Sequence, residues 1–353
     1  MLSKQTNLLT VFLSLGVLVI AVYLIIAGQS ILMPLAIAIF IWYLINAFAG
    51  AIQRLSILGW HPPRLLSFIA AFVVLLLCLG FIVELIANNL ALISVKFPFY
   101  QDRFEAIQSK FLGHFHIKKI PSVFSTDSIM QYGAGMISTV GSELTSTAGT
   151  AIAVILYIAF LLAEQGSFNK KLSALISDPE QQMATRKTLD RVATNIRSFI
   201  WLQTLAGILA GVVSYIILKT VGVEFASFWA VMIFFLNYIP YIGALIGTVF
   251  PTVLALIQFG SLIPFIIVGG SMAAVHFFIG SVLEPWMYGR SLKLSPLIIL
   301  ITIAFWGSIW GILGMILSVP ITVIIMIICE AFPKTRPIAI LLSKDGEIET
   351  FVD

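Results

Sequence analysis

Long stretches of this sequence contain almost no charged residues, and this pattern limits the possible folds more than any other feature. Six of them are about 20 residues long: Leu8–Ala27, Ser30–Ile52, Leu65–Ala87, Leu144–Ala163, Phe199–Leu218 and Leu262–Leu283. A bilayer core about 30 Å thick is crossed by about 20 apolar helical residues, because every backbone polar group there must be hydrogen-bonded within the segment. The pattern therefore predicts an all-α, polytopic integral membrane protein.

The composition excludes a soluble globular protein. Hydrophobic residues make up 60% of the chain and charged residues only 10%, compared with about 25% charged residues in a typical soluble domain. The net charge of +4 comes without a basic stripe interleaved with aromatic residues, so it indicates basic loops of a membrane protein rather than a nucleic-acid-binding surface.

Two further apolar stretches are interrupted by helix-breaking residues. Residues 225–257 are uncharged but contain Pro240 and Gly243 in the middle, which leaves two arms of 15 residues, each about 22 Å long as a helix. Residues 296–329 are interrupted by two glycines four positions apart. The first arm of each stretch is too short to cross a bilayer, although the second arm of 296–329 is long enough. The pattern therefore predicts two re-entrant helical hairpins and about eight membrane segments, with pairs of full spans as the alternative.

The same arrangement of a span followed by a broken stretch occurs twice. Residues 199–218 precede 225–257, and residues 262–283 precede 296–329. If each broken stretch enters and leaves by one face, the second unit has the opposite orientation to the first. Such inverted repeats are typical of secondary transporters, in which broken helices bind solute near the membrane centre.

Hydropathy and charge together predict six parts of the chain. They are an N-terminal three-span scaffold (1–87), an extracytoplasmic amphipathic region (88–143), a fourth span (144–163), a cytoplasmic amphipathic linker helix (164–198), a transport domain (199–329) and a cytoplasmic tail (330–353). With both termini in the cytoplasm, 14 of the 20 Lys and Arg residues lie on the cytoplasmic side, which agrees with the positive-inside rule.

Residues at the two interruptions are the candidates for binding solute. Helix breaks free backbone groups, and polar side chains inside a membrane are costly unless they line a cavity or find a partner. The candidates are Asn237, Pro240, Gly243, Trp306, Gly307, Ser308 and Gly311. Two structural alternatives remain open: an interhelical hydrogen bond made by Asn237, and close helix packing at the GxxxG glycine pairs.

Ionisable residues in or near the spans are the candidates for a coupling or gating role. They are His276, Glu284, Arg290 and Glu164. His276 is the only histidine within a span, and an imidazole carries protons near neutral pH. The alternatives are a hydrogen-bonded core histidine at His276 and a structural ion pair between Glu284 and Arg290.

Enzyme motifs are absent from the sequence. It contains no HExxH, Walker A or GxSxG pattern, and the two cysteines, Cys78 and Cys329, both lie inside apolar runs. Ser271 and His276 are five residues apart on one predicted helix, a spacing that does not bring their side chains together for nucleophilic catalysis. We therefore expect a protein that is not an enzyme and has no cofactor or metal site.

Two sequence blocks resemble the hallmark blocks of the autoinducer-2 exporter (AI-2E) family of bacterial permeases. The first is NYIPYIG at residues 237–243, and the second covers residues 283–322, where EPxxxGRSLxLSP begins at Glu284. The resemblance extends over most of the chain. One departure is Ser281, because many members of the family have an asparagine shortly before the Glu-Pro pair.

The resemblance implies a transporter of the bacterial inner membrane that forms a homo-oligomer such as a pentamer. Better-known members of the family are linked to export of the quorum signal autoinducer-2, and others look like sodium/proton antiporters. The residues that it marks are Asn237, Pro240, Gly243, Glu284, Pro285, Gly289, Arg290, Pro296, Trp306, Gly307, Gly311, Gly314 and Pro320.

Three functions therefore agree with the sequence. The first is a secondary transporter that exports a small polar solute or signal such as autoinducer-2. The second is a cation antiporter of the sodium/proton type, with a proton or sodium ion as the coupling ion. The third is a membrane scaffold or sensor that transports nothing. The scarcity of charge favours a neutral or amphipathic solute, and the expected partners are the lipid bilayer, the solute and further copies of the chain, with no nucleic acid.

Overall fold

Helices account for nearly all of the chain that the structure describes. The computed structural model describes residues 2–54, 63–115, 135, 150–284, 286 and 294–346. Its helices are α1 (Leu2–Ala27), α2 (Gln29–Arg54), α3 (Arg64–Phe115), α4 (Thr150–Glu164), α5 (Phe168–Leu175), α6 (Pro179–Val221), α7 (Ala226–Leu236), α8 (Ile242–Phe259), α9 (Leu262–Phe278), α10 (Pro296–Ala331) and α11 (Arg336–Leu342). A five-residue π-helical turn, Ile279–Leu283, continues α9.

Six of the described helices are long and apolar enough to cross a membrane. The segments are Gln29–Gly50, Leu65–Ile107, Pro179–Val221, Ile242–Phe259, Leu262–Leu283 and Pro296–Ala331. Shorter apolar helices cover Leu15–Ala27, Thr150–Glu164 and Ala226–Leu236. The prediction of an all-α, multi-pass membrane protein is therefore confirmed.

Helix α3 is much longer than the span predicted within it. It has 52 residues and continues from the apolar run through the first half of the region 88–143; apart from residue 135, the second half lies outside the described residues. Asn89 and Ser94 do not end the helix, because their side chains donate to the carbonyls of Leu85 and Leu90 four positions earlier, at 2.8 and 2.9 Å. Pro98 also lies inside this helix.

Helix α6 joins the predicted linker helix and the fifth span into one 43-residue helix. Pro179 occupies its first position, where its missing N–H leaves no hydrogen bond unmade. Asp178 caps the first turn, since its carboxylate accepts from the backbone N–H of Glu180 at 3.1 Å. No glycine or proline occurs between Glu180 and Ala206, so nothing ends the helix before the membrane run.

The contacts divide the chain into two units, and two of the boundaries between them fall within α2 and α6. The first contains residues 1–42, 149–188 and 294–353, and the second contains 43–148 and 189–293. The broken stretch that includes α7 and α8 belongs to the second unit, and α10 belongs to the first. The six-part division made from the sequence stays a prediction.

Glycines allow α6 to pack closely against α7 in the second unit. A Cβ atom at Gly207 would lie 3.0 Å from the Phe234 carbonyl oxygen, and one at Gly211 would lie 2.8 Å from the Ala230 carbonyl oxygen. The GxxxG spacing of this pair predicts such backbone approach, and here it does bring the helices together. The core beside this contact contains apolar residues of α6 to α9, among them Ile233 and Met272, both 0% exposed.

The chain reverses direction at both of the predicted interruptions. Between α7 and α8, a Cβ atom at Gly243 would lie only 1.8 Å from the Leu236 carbonyl oxygen. In α10 the backbone of Gly311 is not helical (φ 62°, ψ −144°), and a Cβ atom at Gly314 would lie 2.0 Å from the Trp306 carbonyl oxygen. Both breaks are therefore helical hairpins with tightly packed tips.

The open end of the second hairpin is held by α11. The backbone N–H of Ser295 donates to the Leu342 carbonyl at 3.0 Å, and Leu294 forms an antiparallel bridge with Ser343. These contacts lie just before α10 begins, while α11 follows soon after α10 ends. The two ends of α10 are therefore on the same side of its hairpin.

Candidate functional site

The tip of the α7–α8 hairpin, residues 237–241, is the best-formed candidate site. Pro240 has no N–H to donate, and Tyr241 adopts a left-handed conformation (φ 62°) that L-residues with side chains rarely adopt. The tip is closed by short-range hydrogen bonds, in which Tyr238 and Ile239 donate to carbonyls three positions earlier at 3.1 and 2.9 Å. These local features explain why one apolar stretch forms two helices.

Polar side chains from α6 and the tip meet inside this unit. Gln203, which is 4% exposed, donates its side-chain amide to the backbone carbonyl of Asn237. The hydroxyl groups of Thr204 and Tyr238 are hydrogen-bonded at 2.7 Å, and Tyr238 is buried. Neutral amide and hydroxyl groups therefore surround the helix break, which is a suitable environment for a small polar solute.

Asn237 brings an unused hydrogen-bond donor to this tip. Its side-chain nitrogen is buried and has no hydrogen-bond partner among the described residues. Buried amide groups in proteins are nearly always hydrogen-bonded, and an unsatisfied one in a low-dielectric interior costs about 1–3 kcal/mol. The predicted residues Asn237, Pro240 and Gly243 thus lie together at one helix break.

His276 lies on α9 and packs against α8. A Cβ atom at Gly247 would be 3.1 Å from His276 Nε2 and 3.1 Å from Ile233 Cγ1, so the absence of a side chain at Gly247 makes room for the imidazole. His276 Nε2 is buried and has no hydrogen-bond partner in the described part of the chain. The hydrogen-bonded core histidine considered from the sequence therefore lacks a bond at this nitrogen.

Glu284 follows the π-helical turn Ile279–Leu283 and is half-buried. A π-helical turn inserts an extra residue into a helix and is frequently found at functional sites. Arg290, predicted as a partner of Glu284 or as a gating residue, lies outside the described residues, so the ion pair between them stays a prediction.

The second break belongs to the first unit, where its residues are arranged differently. Trp306 and Trp310 are 6% and 7% exposed and pack against apolar residues of α1 and α2, including Ile25 and Phe40. Ser308 is exposed on the hairpin, and its hydroxyl donates to the Phe305 carbonyl at 2.8 Å. Trp306 is therefore buried in an apolar cluster of this unit.

Gly307 and Gly311 shape the second hairpin in different ways. A Cβ atom at Gly307 would lie 2.9 Å from two atoms of Met315, so Gly307 allows the arms to pack closely. Gly311 has φ 62° and no atom within 4 Å of its Cβ position, so its role is the backbone conformation itself.

Glu164 lies at the end of α4 on the surface. It forms an ion pair with Lys171, and both side chains are exposed. Exposed pairs of this kind contribute about 0–1 kcal/mol to stability. In this structure, Glu164 therefore makes a local contact at the protein surface.

Sequence reasoning missed several residues that contribute to the tip. Gln203 and Thr204 are the polar residues of an otherwise apolar part of the predicted fifth span, and that contrast was the available signal. Their partners are 34 residues away in sequence. Glu224, a single acid between two long uncharged runs, was also missed.

Comparisons with known proteins identify the family of this chain. The family model for "AI-2E family transporter" matches residues 13–334. A "Putative transport protein" of Haemophilus influenzae is 28% identical over 341 residues, which cover 94% of this chain and 95% of that protein. The AI-2 transport protein TqsA of Escherichia coli is 25% identical over 346 residues, which cover 96% of each chain. With a family model that matches more than nine-tenths of its length, this chain belongs to the AI-2E transporter family.

Proposed function

We propose that this protein is a secondary transporter that exports a small polar solute across the bacterial inner membrane, with the α7–α8 tip as its binding site. The observation that carries this proposal is the unused Asn237 amide donor at a helix break lined by Gln203, Thr204 and Tyr238. Transporters bind solutes at such breaks, because backbone and side-chain groups are free there to replace water.

The hairpins are proposed to be re-entrant. Helix α7 has 11 residues and is about 16 Å long, roughly half the thickness of a bilayer core. The first arm of α10, from Pro296 to Trp310, is about 22 Å long. In each stretch, a short first arm followed by a tight reversal supports a hairpin that enters and leaves by one face. The inverted repeat and the cytoplasmic position of both termini belong to the same proposal.

The chemistry of the tip favours an uncharged solute. No Asp, Glu, Lys or Arg occurs in residues 199–218 or 225–257, and the polar groups at the break are amides and hydroxyls. A charged solute would enter this low-dielectric site without a counter-charge, at a large desolvation cost. AI-2 is the first solute to test, because TqsA of Escherichia coli, which aligns with 96% of this chain, is named an AI-2 transport protein.

Asn237→Ala is expected to lower AI-2 flux by at least tenfold. The variant removes the unused donor and leaves the Gln203 contact in place, because that contact is made to the Asn237 backbone. Flux is measured as release of AI-2 from proteoliposomes under an imposed proton or sodium gradient. Asn195→Ala is the control, since the Asn195 side chain bonds to the Arg191 carbonyl of its own helix. Flux that is unchanged in Asn237→Ala would place the binding site elsewhere.

A second candidate function is a sodium/proton-type antiporter, and His276 favours it. Histidine is the side chain that takes up and releases protons near neutral pH, and the buried Nε2 of His276 has no partner among the described residues. Glu284 is the second candidate ion-binding residue. For both candidate functions, we propose that the protein forms a homo-oligomer.

His276→Gln separates the two functions. If His276 carries the coupling proton, this variant abolishes sodium-dependent proton movement in proteoliposomes, because glutamine keeps a polar group but does not titrate. Movement is followed with a pH-sensitive dye trapped inside the vesicles. Ser271→Ala on the same helix is the control, since its hydroxyl bonds to the Ile267 and Val268 carbonyls of α9. If the wild type moves no protons in response to sodium, the antiporter candidate is wrong.

A further inference from the structure

The short connection between α6 and α7, residues 222–225, has an unusual backbone. Gly222 and Phe225 both have positive φ angles, 85° and 58°. The angle suits glycine, but a bulky residue such as phenylalanine adopts it only when surrounding contacts hold it there. The connection therefore depends on its neighbours for its conformation.

Helix α3 provides one set of these contacts. The Glu224 carboxylate accepts hydrogen bonds from Lys96 Nζ at 2.7 Å and from the Tyr100 hydroxyl at 2.5 Å. The Tyr100 ring meets the Phe225 ring edge-on at 6.4 Å, and Lys96 Nζ lies 6.0 Å from the centre of the Phe225 ring. Two residues of α3 thus hold both Glu224 and the strained Phe225.

Helix α8 provides a second set of contacts to the connection. The backbone N–H of Glu224 donates to Gln258 Oε1 at 2.9 Å, and Gln258 Nε2 donates to the Gly222 carbonyl at 2.9 Å. Both ends of the Gln258 amide are therefore used. The contacts of Lys96, Tyr100, Glu224 and Gln258 are called the Glu224 brace below.

The brace is charged at neutral pH. Burial acts to raise the pKa of Glu224, but the hydrogen bonds from Lys96 and Tyr100 and the charge of Lys96 together lower this pKa below its usual value. Lys96 has the opposite charge, so the pair attracts. The brace therefore keeps its ion pair under physiological conditions.

We propose that Glu224 is a positioning residue for transport, which fixes the start of α7 against α3 and α8. The inference rests on the proposed function. Glu224 is separated from the tip by all of α7, about 16 Å of helix, so it acts on solute through α7 and not by contact. In this mechanism α3, the connection and the α7–α8 hairpin move as one body during transport.

Hydrogen exchange of the purified full-length protein tests the brace directly. We expect the amides of residues 223–230 to exchange at least tenfold faster in Glu224→Ala and in Lys96→Ala. The charge-swapped double variant, Lys96→Glu with Glu224→Lys, is expected to return exchange to within threefold of the wild type. Lys219→Ala is the control, because Lys219 is an exposed lysine at the end of α6. Unchanged exchange in Glu224→Ala would show that the brace does not hold α7.

Cross-linking tests whether the brace stays closed during transport. Cysteines introduced as Lys96→Cys and Glu224→Cys are joined by a reducible bifunctional thiol reagent, in a background with Cys78→Ala and Cys329→Ala. Both substitutions remove the ion pair, so AI-2 flux in proteoliposomes is expected to be low before cross-linking and to rise when the reagent joins the two cysteines. Loss of flux that reduction restores would mean that the connection opens during transport, and the proposal would be wrong.

The flux of the single variants completes the test. Glu224→Ala is expected to lower maximal AI-2 flux at least fivefold, and the charge swap is expected to recover at least half of it. Each flux is divided by the amount of protein per vesicle, which corrects for a variant that only lowers the amount of folded protein. If the wild type moves no AI-2 while exchange responds as expected, the brace stands and the proposed function fails. If the wild type moves AI-2 and exchange does not respond, only the brace fails.

Discussion

Gly243→Ala is expected to prevent the α7–α8 hairpin from closing. The added methyl group would lie 1.8 Å from the Leu236 carbonyl oxygen and 2.5 Å from its carbonyl carbon. These are backbone atoms of the preceding helix, so no side-chain rotation relieves the clash, and separating the helices would break the tip. We expect a cost above about 3 kcal/mol, at or beyond the upper end for overpacking.

The same argument applies to the second hairpin. In Gly314→Ala, the methyl group would lie 2.0 Å from the Trp306 carbonyl oxygen and 2.7 Å from its carbonyl carbon. Gly270→Ala is the matched control, since no atom lies within 4 Å of its Cβ position, and alanine favours a helix by about 1 kcal/mol over glycine.

Folding is measured as the yield of monodisperse protein in detergent and as the midpoint of thermal unfolding. Gly243→Ala and Gly314→Ala are expected to give little monodisperse protein, and Gly270→Ala is expected to match the wild type or exceed it. If Gly243→Ala unfolds at the same temperature as the wild type, the tight tip between α7 and α8 is wrong.

Gln203→Met is expected to lower both stability and transport. Methionine has a similar length and shape but cannot donate, so the Asn237 carbonyl loses its hydrogen bond inside the membrane unit. An unsatisfied buried carbonyl costs about 1–3 kcal/mol, and the tip at Asn237 is no longer held against α6. We expect AI-2 flux to fall at least tenfold, together with a lower midpoint of thermal unfolding.

A variant on the same helix provides the control for Gln203→Met. Gln181 is exposed near the start of α6, so Gln181→Met is expected to leave flux and the unfolding midpoint unchanged. Thr204→Val gives an intermediate case, because it removes the hydroxyl pair with Tyr238 and the bond that Thr204 donates to the Ile200 carbonyl of its own helix, but leaves the Gln203 contact in place. Equal flux in Gln203→Met and Gln181→Met would show that the contact to the Asn237 carbonyl is not needed for transport.

Much of the fold follows from local sequence patterns. Apolar runs predicted the membrane helices, because the length of such a run corresponds directly to the thickness of a bilayer. Pro240 and Gly311 marked the two interruptions, since one lacks a backbone donor and the other permits a left-handed backbone. The structure has its breaks at residues 237–241 and at Gly311.

Helix length was harder to predict where a breaker residue does not break the helix. The predicted third span ends at Ala87, but α3 continues through Asn89 and Pro98 to Phe115. The Asn89 side chain donates to the Leu85 carbonyl of the same helix, so its amide is hydrogen-bonded without ending the helix. Where a helix ends depends in part on the hydrogen bonds of its side chains, and a hydropathy pattern does not report these bonds.

Residues of the tip were only partly predictable. Asn237 was found because an amide in an apolar stretch is conspicuous, but its contact with Gln203 joins positions 34 residues apart. Lys96 and Glu224 are separated by 128 residues. One sequence does not reveal which distant polar residues meet, because that depends on the register of packed helices.

The pairing of Leu294 and Ser295 with residues 342 and 343 determines when the second hairpin is completed. The chain is synthesised from its N-terminus, so both arms of α10 exist before residues 342 and 343 are added. The hairpin therefore passes through an unfastened state on every round of biosynthesis. A truncation before Leu342 would hold it in that state permanently.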